Sequence, residues 1–204
     1  MIETPLLVAT TNQGKKREIE AELSDLPIRI FSLADLKIFE DFPETGETFL
    51  DNAKGKSLFY SQKWEGLTLG EDSGLEIFSL NNAPGVFSAR FSDPDATDEK
   101  NNDKVLTLLE QVPDKKRTAR FVSFMVLSQK EKVIIELEGW VEGMMARERR
   151  GENGFGYDPL FFYPPLNRTF GQLSDKEKNK VSHRGRALIK LKTFLKDYLG
   201  ISPC

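Results

Sequence analysis

The first 26 residues pass from a short apolar run through a polar loop into a segment with helical spacing. Residues 6–9 are apolar, and the polar residues 10–12 follow them directly. Farther on, Ile19, Leu23 and Leu26 recur at intervals of three or four residues, which is the spacing of one helix face. The chain is therefore predicted to begin as a strand, a loop and a helix.

Similar patterns predict strands and helices along the rest of the chain. Thr48 is predicted to cap a helix, and the adjacent carboxylates Glu71 and Asp72 are predicted to lie in a turn. In chain order, the predicted elements are a strand at 28–33, an acidic loop at 35–47, a helix to about residue 64, a strand at 67–69 followed by the turn at 71–74, extended structure at 75–78, a helix over 95–109, a hairpin of strands at 117–128 and 132–141, a short strand at 160–162 and a terminal helix at 183–199. The residues of the terminal helix that are spaced to face the core are Ala187, Leu188, Leu191, Phe194, Leu195 and Tyr198.

The composition limits which partners and metals the chain is suited to bind. With 29 Lys or Arg and 32 Asp or Glu, the net charge of -3 disfavours binding to nucleic acid or to an anionic membrane. Cys204 is the only cysteine and His183 the only histidine, so a disulfide within the chain is excluded and a zinc site of the usual kind is disfavoured. Carboxylates favour a hard cation, with Mg²⁺ first and Mn²⁺ as the alternative.

The length of 204 residues predicts a single domain over residues 1–204. No stretch has the apolar length of a membrane span, and the N-terminal apolar run is too short for a signal peptide. A cytoplasmic protein is therefore expected.

Residues 10–15 connect the first predicted strand to the first helix. Backbone N–H groups at a helix N-terminus, short polar side chains, a glycine and a lysine together favour phosphate binding, although the spacing is not that of a Walker A loop. The alternative is a capped turn with a solvated lysine. The residues of this segment are Thr10, Thr11, Asn12, Gln13, Gly14 and Lys15.

A second segment combines Glu44 with two residues of the following helix. Asn52 and Lys56 are four residues apart and share a helix face, so Lys56 is predicted to meet a phosphate near a metal held by Glu44. The alternative is that Thr48 and Asp51 form a helix start resembling a capping box and that Glu47, Lys54 and Lys56 are ordinary surface charges.

The pair Glu71 and Asp72 follows a predicted buried strand. Charge in such a place needs a counter-charge, for example a bound cation, so a functional role is favoured. Because adjacent strand residues point to opposite faces, only one of the two need face a given metal directly.

Two later segments have groups suited to a flat polar ligand. The glycines of Gly154-Phe155-Gly156 leave space for a ring to stack on the phenyl group, and Asp158 is suited to accept hydrogen bonds from a base edge. The alternative is an aromatic loop that closes over the core. His183 and Arg184 follow a lysine-rich stretch and can donate to carbonyl or phosphate oxygens, whereas the alternative is a solvated charged face.

Six motifs follow one another along the chain: Ala9-Thr10-x-Asn12-x-x-Lys15, Glu44-Thr45-Gly46-x-Thr48-Phe49-x-x-Asn52-Ala53-x-x-Lys56, Asp72-Ser73-Gly74-Leu75, Ala83-Pro84-Gly85-Val86-x-Ser88-Ala89-Arg90, Gly154-Phe155-Gly156-Tyr157-Asp158-Pro159 and Ser182-His183-Arg184-Gly185. Over nearly the whole chain, they resemble the inosine triphosphate pyrophosphatase family of non-canonical purine nucleoside triphosphate pyrophosphatases, also called XTP/dITP diphosphatases. The resemblance implies an α/β fold with an elongated central mixed sheet, flanking helices and two lobes around an active-site cleft. It also implies a homodimer that uses Mg²⁺ to hydrolyse ITP, dITP and XTP to the monophosphate and pyrophosphate, which cleanses the nucleotide pool.

The resemblance also implies roles for individual residues. Asp72 resembles the family's proton acceptor for the attacking water, and Glu44 and Asp72 would hold the metal, with Glu71 as a further candidate. Residues 10–15 and Lys56 would bind the triphosphate. The family commonly has Asp-Asp-Ser-Gly at the position where this chain has Glu71-Asp72-Ser73-Gly74. The longer side chain of Glu71 shifts a ligand by about one methylene. The residues implied to line the nucleotide site are Ser73, Phe155, Gly156, Tyr157, Asp158, Lys178, His183 and Arg184.

Base selectivity follows from hydrogen-bond chemistry. Donors of His183 and Arg184 suit the 6-keto oxygen of hypoxanthine or xanthine, whereas the 6-amino group of adenine would present donor against donor.

Two alternative functions remain. One is that of a Maf-like pyrophosphatase acting on modified pyrimidine or other nucleotides. The other is a nucleotide-sensing or RNA-binding module without turnover, which uses the basic stretch 176–192 and Phe155. Carboxylates near phosphates argue against a pure binder, since they serve little there unless they hold a metal.

Overall fold

The computed structural model describes residues 3–201, so Cys204 lies outside the described residues. Over this range, no helix has both the length and the apolar character needed to span a membrane. The helices are α1 (Gln13–Leu23), α2 (Phe49–Ser61), α3 (Asp98–Leu108), α4 (Asp175–Val181) and α5 (His183–Tyr198). The strands are β1 (Thr4–Ala9), β2 (Ile28–Ser32), β3 (Leu67–Ile77), β4 (Thr118–Gln129), β5 (Lys132–Met145), β6 (Phe161–Tyr163) and β7 (Arg168–Thr169).

The strands form one mixed sheet in the order β2-β1-β3-β4-β5-β6-β7. Strand β1 pairs in parallel with both β2 and β3, and Leu6 lies opposite Ile30 on one side and Leu67 on the other. Strand β6 pairs antiparallel with both β5 and β7. The predicted α/β fold with a mixed sheet and flanking helices is therefore confirmed.

The chain separates into two compact units, each with its own apolar core. In unit 1, α1 and α5 bury Ile19 and Leu191 in one cluster. In unit 2, Val105 of α3 is buried in a cluster that includes Phe161 of β6. Strands β3, β4 and β5 each contribute residues to both units. Within the described range, unit 1 consists of residues up to Asp72, Ser123–Gly139 and residues from Arg184, and unit 2 consists of Ser73–Val122 and Trp140–His183.

Several predicted features of local structure are confirmed. Thr48 caps α2, because its side chain accepts a hydrogen bond from the backbone N of Asp51 at 3.1 Å. The hairpin is also present: β4 and β5 are neighbours in the sheet, and only Lys130 and Glu131 connect them. These two residues have φ of 49° and 64°, the left-handed conformation of a tight hairpin turn.

The predicted turn at 71–74 is wrong, because β3 is one continuous strand. Lys15 forms an ion pair with Glu71, and Asn52 donates a hydrogen bond to Asp72. With these partners, both carboxylates remain buried in the strand. Tyr198, predicted to face the core, is 47% exposed at the end of α5. Helix α4 and strand β7 were not predicted, since 7 and 2 residues are too few to establish a pattern.

Candidate functional site

Polar side chains of the loop itself hold the turn between β1 and α1. Asn12 is the N-cap of α1, and its Oδ1 accepts a hydrogen bond from the backbone N of Lys15 at 3.1 Å. Thr10 Oγ1 accepts one from the backbone N of Asn12 at 3.2 Å. The turn is thus capped, but the lysine is not solvated: Lys15 Nζ lies 2.7 Å from Glu71 Oε2, and its side chain is only 15% exposed. The other three residues of the predicted phosphate loop are Thr11 and Gln13, which are exposed, and Gly14, which is half-buried.

Glu71 is buried in β3 and is surrounded by donors. Its Oε1 accepts hydrogen bonds from Ser123 Oγ at 2.9 Å and from two guanidinium nitrogens of Arg184 at 3.2 Å each. Burial alone would raise the pKa of Glu71, but the charges of Lys15 and Arg184 outweigh it and hold that pKa well below its usual range. Glu71 is therefore ionised, with two cationic side chains of the protein as its counter-charges.

Arg184 lies between two carboxylates in unit 1. Besides its bonds to Glu71, its Nη1 donates to Glu18 Oε2 at 2.5 Å, and the residue is only 1% exposed. Burial alone would lower the pKa of Arg184, but Glu71 and Glu18 raise it above its usual value. The structure thus places Arg184 in a buried ion-pair cluster. Its predicted contact with the base stays a prediction, and the cluster favours a structural role instead.

Asp72 is the next residue of β3. Its Oδ2 accepts a hydrogen bond from Asn52 Nδ2 at 3.0 Å, and Asn52 Oδ1 accepts one from the backbone N of Gly46 at 2.8 Å. Asn52 thereby ties the loop before α2 to β3. Burial raises the pKa of Asp72; Lys15 and Lys56 oppose that shift, and Glu44 adds to it.

Lys56 is buried on the same face of α2 as Asn52, as its spacing predicts. Its Nζ forms an ion pair with Glu44 and donates a hydrogen bond to the backbone O of Glu71 at 3.2 Å. The structure therefore brings Lys56 and Glu44 together and places both charges close enough to Asp72 to shift its pKa. The alternative of ordinary surface charge is therefore wrong for Lys56, whereas Lys54 pairs with Glu136 at the surface.

Glu44 and Asp72 are suited to bind a divalent cation with the substrate. Among residues 3–201, no group of three or more His, Cys, Asp or Glu side chains is arranged to hold a metal ion. Mg²⁺ commonly uses one or two protein carboxylates together with water and substrate phosphates, so this donor pair fits it. A cation there would also offset the repulsion that helps to raise the pKa of Asp72. Glu71 fits less well, since Lys15 and Arg184 already neutralise it.

In unit 2, residues 154–158 fold around the carboxylate of Asp158. Asp158 Oδ2 accepts hydrogen bonds from the backbone N of Phe155 at 2.9 Å and from Lys178 Nζ at 2.6 Å. Lys178 Nζ also lies 4.5 Å from the centre of the Phe155 ring, in a cation–π contact. At Gly154, φ is 78° and a Cβ would lie 2.0 Å from Asp158 Oδ2, so only glycine fits. Phe155, Asp158 and Lys178 thus form one cluster.

Ser73, Gly156, Tyr157 and His183, which were also predicted to line the nucleotide site, lie in unit 2 as well. Tyr157 is buried in the apolar core, and its hydroxyl donates to the backbone O of Ser88 at 2.8 Å, so it anchors the loop. The ring of His183 stacks on Phe121, with 4.7 Å between ring centres and 13° between ring planes. Ser73 is half-buried in β3.

Two residues of the buried cluster were not predicted from the sequence. Glu18 accepts from Arg184, and Ser123 donates to Glu71. One sequence signal was available for Glu18: it follows Lys15 by three residues, which places both on one face of α1. Ser123 has no comparable signal, since β4 contains several small polar residues.

Comparison with known proteins agrees with the α/β fold of this chain. The sequence model of the Ham1 family matches residues 6–194. The dITP/XTP pyrophosphatase of Thermoanaerobacter sp. (strain X514) is 44% identical over 190 residues, which cover 93% of this chain and 96% of the relative. The dITP/XTP pyrophosphatase of Exiguobacterium sibiricum is 43% identical over 195 residues, which cover 96% of this chain and 98% of the relative.

Solved structures give the same result. The HAM1 protein from Coxiella burnetii superimposes with a TM-score of 0.87 at 40% identity, covering 95% of this chain and 99% of that one. The Staphylococcus aureus Ham1 protein gives a TM-score of 0.85 at 35% identity, covering 96% of this chain and 100% of that one. The chain belongs to the Ham1 family.

Proposed function

We propose that this protein hydrolyses the non-canonical purine nucleoside triphosphates ITP, dITP and XTP to the monophosphate and pyrophosphate, and so removes them from the nucleotide pool. Support comes from the relatives named dITP/XTP pyrophosphatase, which align over more than nine-tenths of the chain. The structural observation that carries the proposal is the grouping of Lys56 and Glu44 with the buried carboxylate of Asp72.

The triphosphate is proposed to bind at the cations of unit 1. A highly anionic substrate must be neutralised before water can attack it, and Lys15 and Lys56 supply positive charge on two elements. The N-terminus of α1 adds backbone N–H groups beside Lys15. Ion pairs with Glu71 and Glu44 hold the two ammonium groups in place before the substrate arrives.

Asp72 is proposed to accept the proton of the attacking water. Burial raises the pKa of Asp72, which makes its carboxylate a stronger base than one in water. The Asn52 amide fixes its orientation. Water aligned by Asp72 attacks the α-phosphorus, the bond between the α-phosphorus and the bridging oxygen breaks, and pyrophosphate leaves.

Glu44 and Asp72 are the residues proposed to hold Mg²⁺. When bound, the cation supplies Lewis-acid stabilisation of negative charge on the phosphate oxygens. Mn²⁺ is the proposed alternative, because it also binds oxygen ligands.

The purine is proposed to bind at the cluster of unit 2. The Phe155 ring offers a face for stacking, and Asp158 offers carboxylate oxygens to donors on the base edge. His183 adds a donor suited to a 6-keto oxygen. Lys178 also forms a buried ion pair with Asp158, which gives this carboxylate a counter-charge within the cluster.

The test of this proposal is pyrophosphate release from ITP, dITP, XTP, GTP and ATP, each with Mg²⁺ and with a chelator. We expect rapid release from the first three only, and only with the metal. Preference for modified pyrimidine nucleotides would favour a Maf-like pyrophosphatase, and binding without release would favour a nucleotide-sensing module.

We further propose that the protein is a homodimer in the cytoplasm. Sedimentation tests the oligomeric state, and cell fractionation tests the location.

A further inference from the structure

Helix α3 holds Gly156 through both of that residue's backbone groups. The backbone N of Gly156 donates to Asp98 Oδ2 at 2.7 Å, and its backbone O accepts from Asn102 Nδ2 at 2.8 Å. Asp98 and Asn102 are four residues apart, so they lie one above the other on one face of α3. Two side chains on successive turns of a helix therefore clamp one residue of the loop.

The position of the Asn102 amide is itself fixed. Its Nδ2 also donates to the backbone O of Asp98 at 2.6 Å, and the residue is buried. Because both neighbouring groups are carbonyl acceptors, only the NH₂ end of the amide fits this place, and both of its hydrogens are used. The side-chain amide of Asn102 therefore has one orientation, and exchanging its nitrogen and oxygen positions would break both hydrogen bonds.

The clamp supports a backbone conformation that a free loop seldom keeps. Gly156 has φ of 61°, and a Cβ built there meets no atom within 4 Å. Backbone conformation, not lack of space, is thus what makes glycine suitable at this position. A glycine without such support would sample many conformations, and its neighbours would move with it.

Those neighbours are the groups proposed to contact the base. Phe155 precedes Gly156, and Asp158 follows two residues later with its carboxylate bonded back to the Phe155 backbone. On its other side, the loop is anchored by the Tyr157 hydroxyl, which donates to Ser88 in the 3₁₀ helix Gly85–Arg90. Ser88 belongs to a sequence motif to which no chemical role is assigned above, and this contact gives it a structural one.

We propose that Asp98 and Asn102 are positioning residues that set base selectivity, by holding Gly156 so that Phe155 and Asp158 present a preformed surface to the purine. This inference rests on the proposed function. A preformed surface binds better because less conformational entropy is lost when the ligand arrives. It also discriminates better, because a loop that readjusts can accommodate adenine as well as hypoxanthine.

The experiment compares Asp98→Ala and Asn102→Ser with the unmodified protein. The readouts are kcat and KM for ITP and for ATP, and the inhibition constant of inorganic tripolyphosphate, which has no base. We expect KM for ITP to rise about tenfold, kcat to change less, and the ITP to ATP ratio of kcat/KM to fall by about the same factor. The inhibition constant of tripolyphosphate should stay the same, since the phosphate-binding residues are untouched.

Glu99→Ala is the matched control, because it removes an acidic side chain from the same first turn of α3 without touching the loop. It should behave like the unmodified protein. Asp98→Asn keeps an oxygen that can accept from Gly156 and should restore much of the selectivity. If Asp98→Ala does not fold, Asn102→Ser makes the same test.

Two outcomes would overturn the inference: an unchanged ITP to ATP ratio in the folded variants, or equal weakening of ITP and tripolyphosphate. The second would show general distortion of the protein. A different result overturns the proposed function instead, namely an unmodified protein that releases no pyrophosphate from any of the nucleotides.

Discussion

Glu71 and Asp72 are consecutive residues of β3, and side chains of different elements donate hydrogen bonds to their carboxylates. Glu71 accepts from Ser123 and Arg184 and is paired with Lys15, whereas Asp72 accepts from Asn52. The alternation of side chains along a strand produces this difference. As a result, the pKa of Glu71 is lowered by its cationic partners, and the pKa of Asp72 is raised by burial. One strand thus presents an ionised structural carboxylate and, beside it, a carboxylate suited to accept a proton.

Asp72→Asn should abolish most turnover while the protein stays folded. The change keeps the size of the side chain but removes the proposed base and one proposed metal ligand, and loss of a positioned base alone costs about 10² to 10⁴ in rate. Steady-state kcat with ITP, together with the melting temperature, checks this. Asp41→Asn, in the exposed part of the loop before α2, is the control. Near-normal kcat in Asp72→Asn would remove this residue from the mechanism.

Lys15→Ala and Lys56→Ala should weaken ITP binding and slow hydrolysis, each by about 10-fold to 100-fold, because each removes a charged donor from the phosphates. Binding of inosine monophosphate, measured by calorimetry, should change much less. Lys16→Ala is the matched control, since that neighbouring lysine lies 3.5 Å from Glu20 instead. Equal losses for the monophosphate and the triphosphate would mean that the two lysines do not contact the leaving pyrophosphate.

Arg184→Ala should lower stability far more than it changes base selectivity. It leaves Glu18 and Glu71 buried without their shared guanidinium, and breaking a buried ion pair in this way costs about 3 to 5 kcal/mol. Urea unfolding measures that cost, and Arg186→Ala on the same helix serves as a reference. The ratio of kcat/KM for ITP and ATP should remain the same. If it instead falls by about one to two orders of magnitude, Arg184 reads the base, as the sequence alone suggested.

Glu177 gives a prediction for the dependence of stability on pH. Its hydrogen bond from Arg168, with further bonds from Ser174, lowers the pKa of Glu177 to about 2 from an ordinary value of 4.5. The stabilisation is therefore complete above the pKa of the unfolded chain and is lost as the pH falls toward the folded value. Glu177→Gln should lower the melting temperature slightly at pH 7, and the difference should shrink below about pH 4.5.

Asp175→Asn, in the same first turn of α4, is the control for that measurement. A difference between Glu177→Gln and the unmodified protein that stays constant from pH 7 to the acid limit would contradict the lowered pKa of Glu177.

Features set by neighbouring residues could be predicted from the sequence. The caps at Asn12 and Thr48 and the hairpin at Lys130 and Glu131 each depend on contacts within about four residues, so the local pattern is sufficient. The capping box of α4 was equally local. Ser174 and Glu177 form it with the expected spacing, but the helix itself was too short to be noticed.

Features set by distant residues could not be predicted in the same way. From the sequence, Glu71 was predicted to lie in a turn. Only the structure shows that Arg184, 113 positions later, neutralises it within a strand. Likewise, nothing near Asn102 in the sequence shows that it holds Gly156, 54 positions away. The residues of the candidate site were predicted because their types suit phosphate and metal chemistry and because their motifs resemble those of a known family. Their supporting residues, Glu18 and Asp98 among them, are ordinary acids on helices.

The distance along the chain between Glu18 and Arg184 has a consequence for synthesis on the ribosome. These residues are 166 positions apart, so helix α1 and strand β3 leave the ribosome long before the guanidinium that both need. Until α5 follows, Glu18 and Glu71 would have to be buried without that charge, which favours keeping them in water. Unit 2 has no comparable delay for its buried pair, since Asp158 and Lys178 are separated by 20 positions. Unit 2 can therefore complete its core first, and the nascent chain should become resistant to proteolysis in unit 1 only after its last helix has emerged.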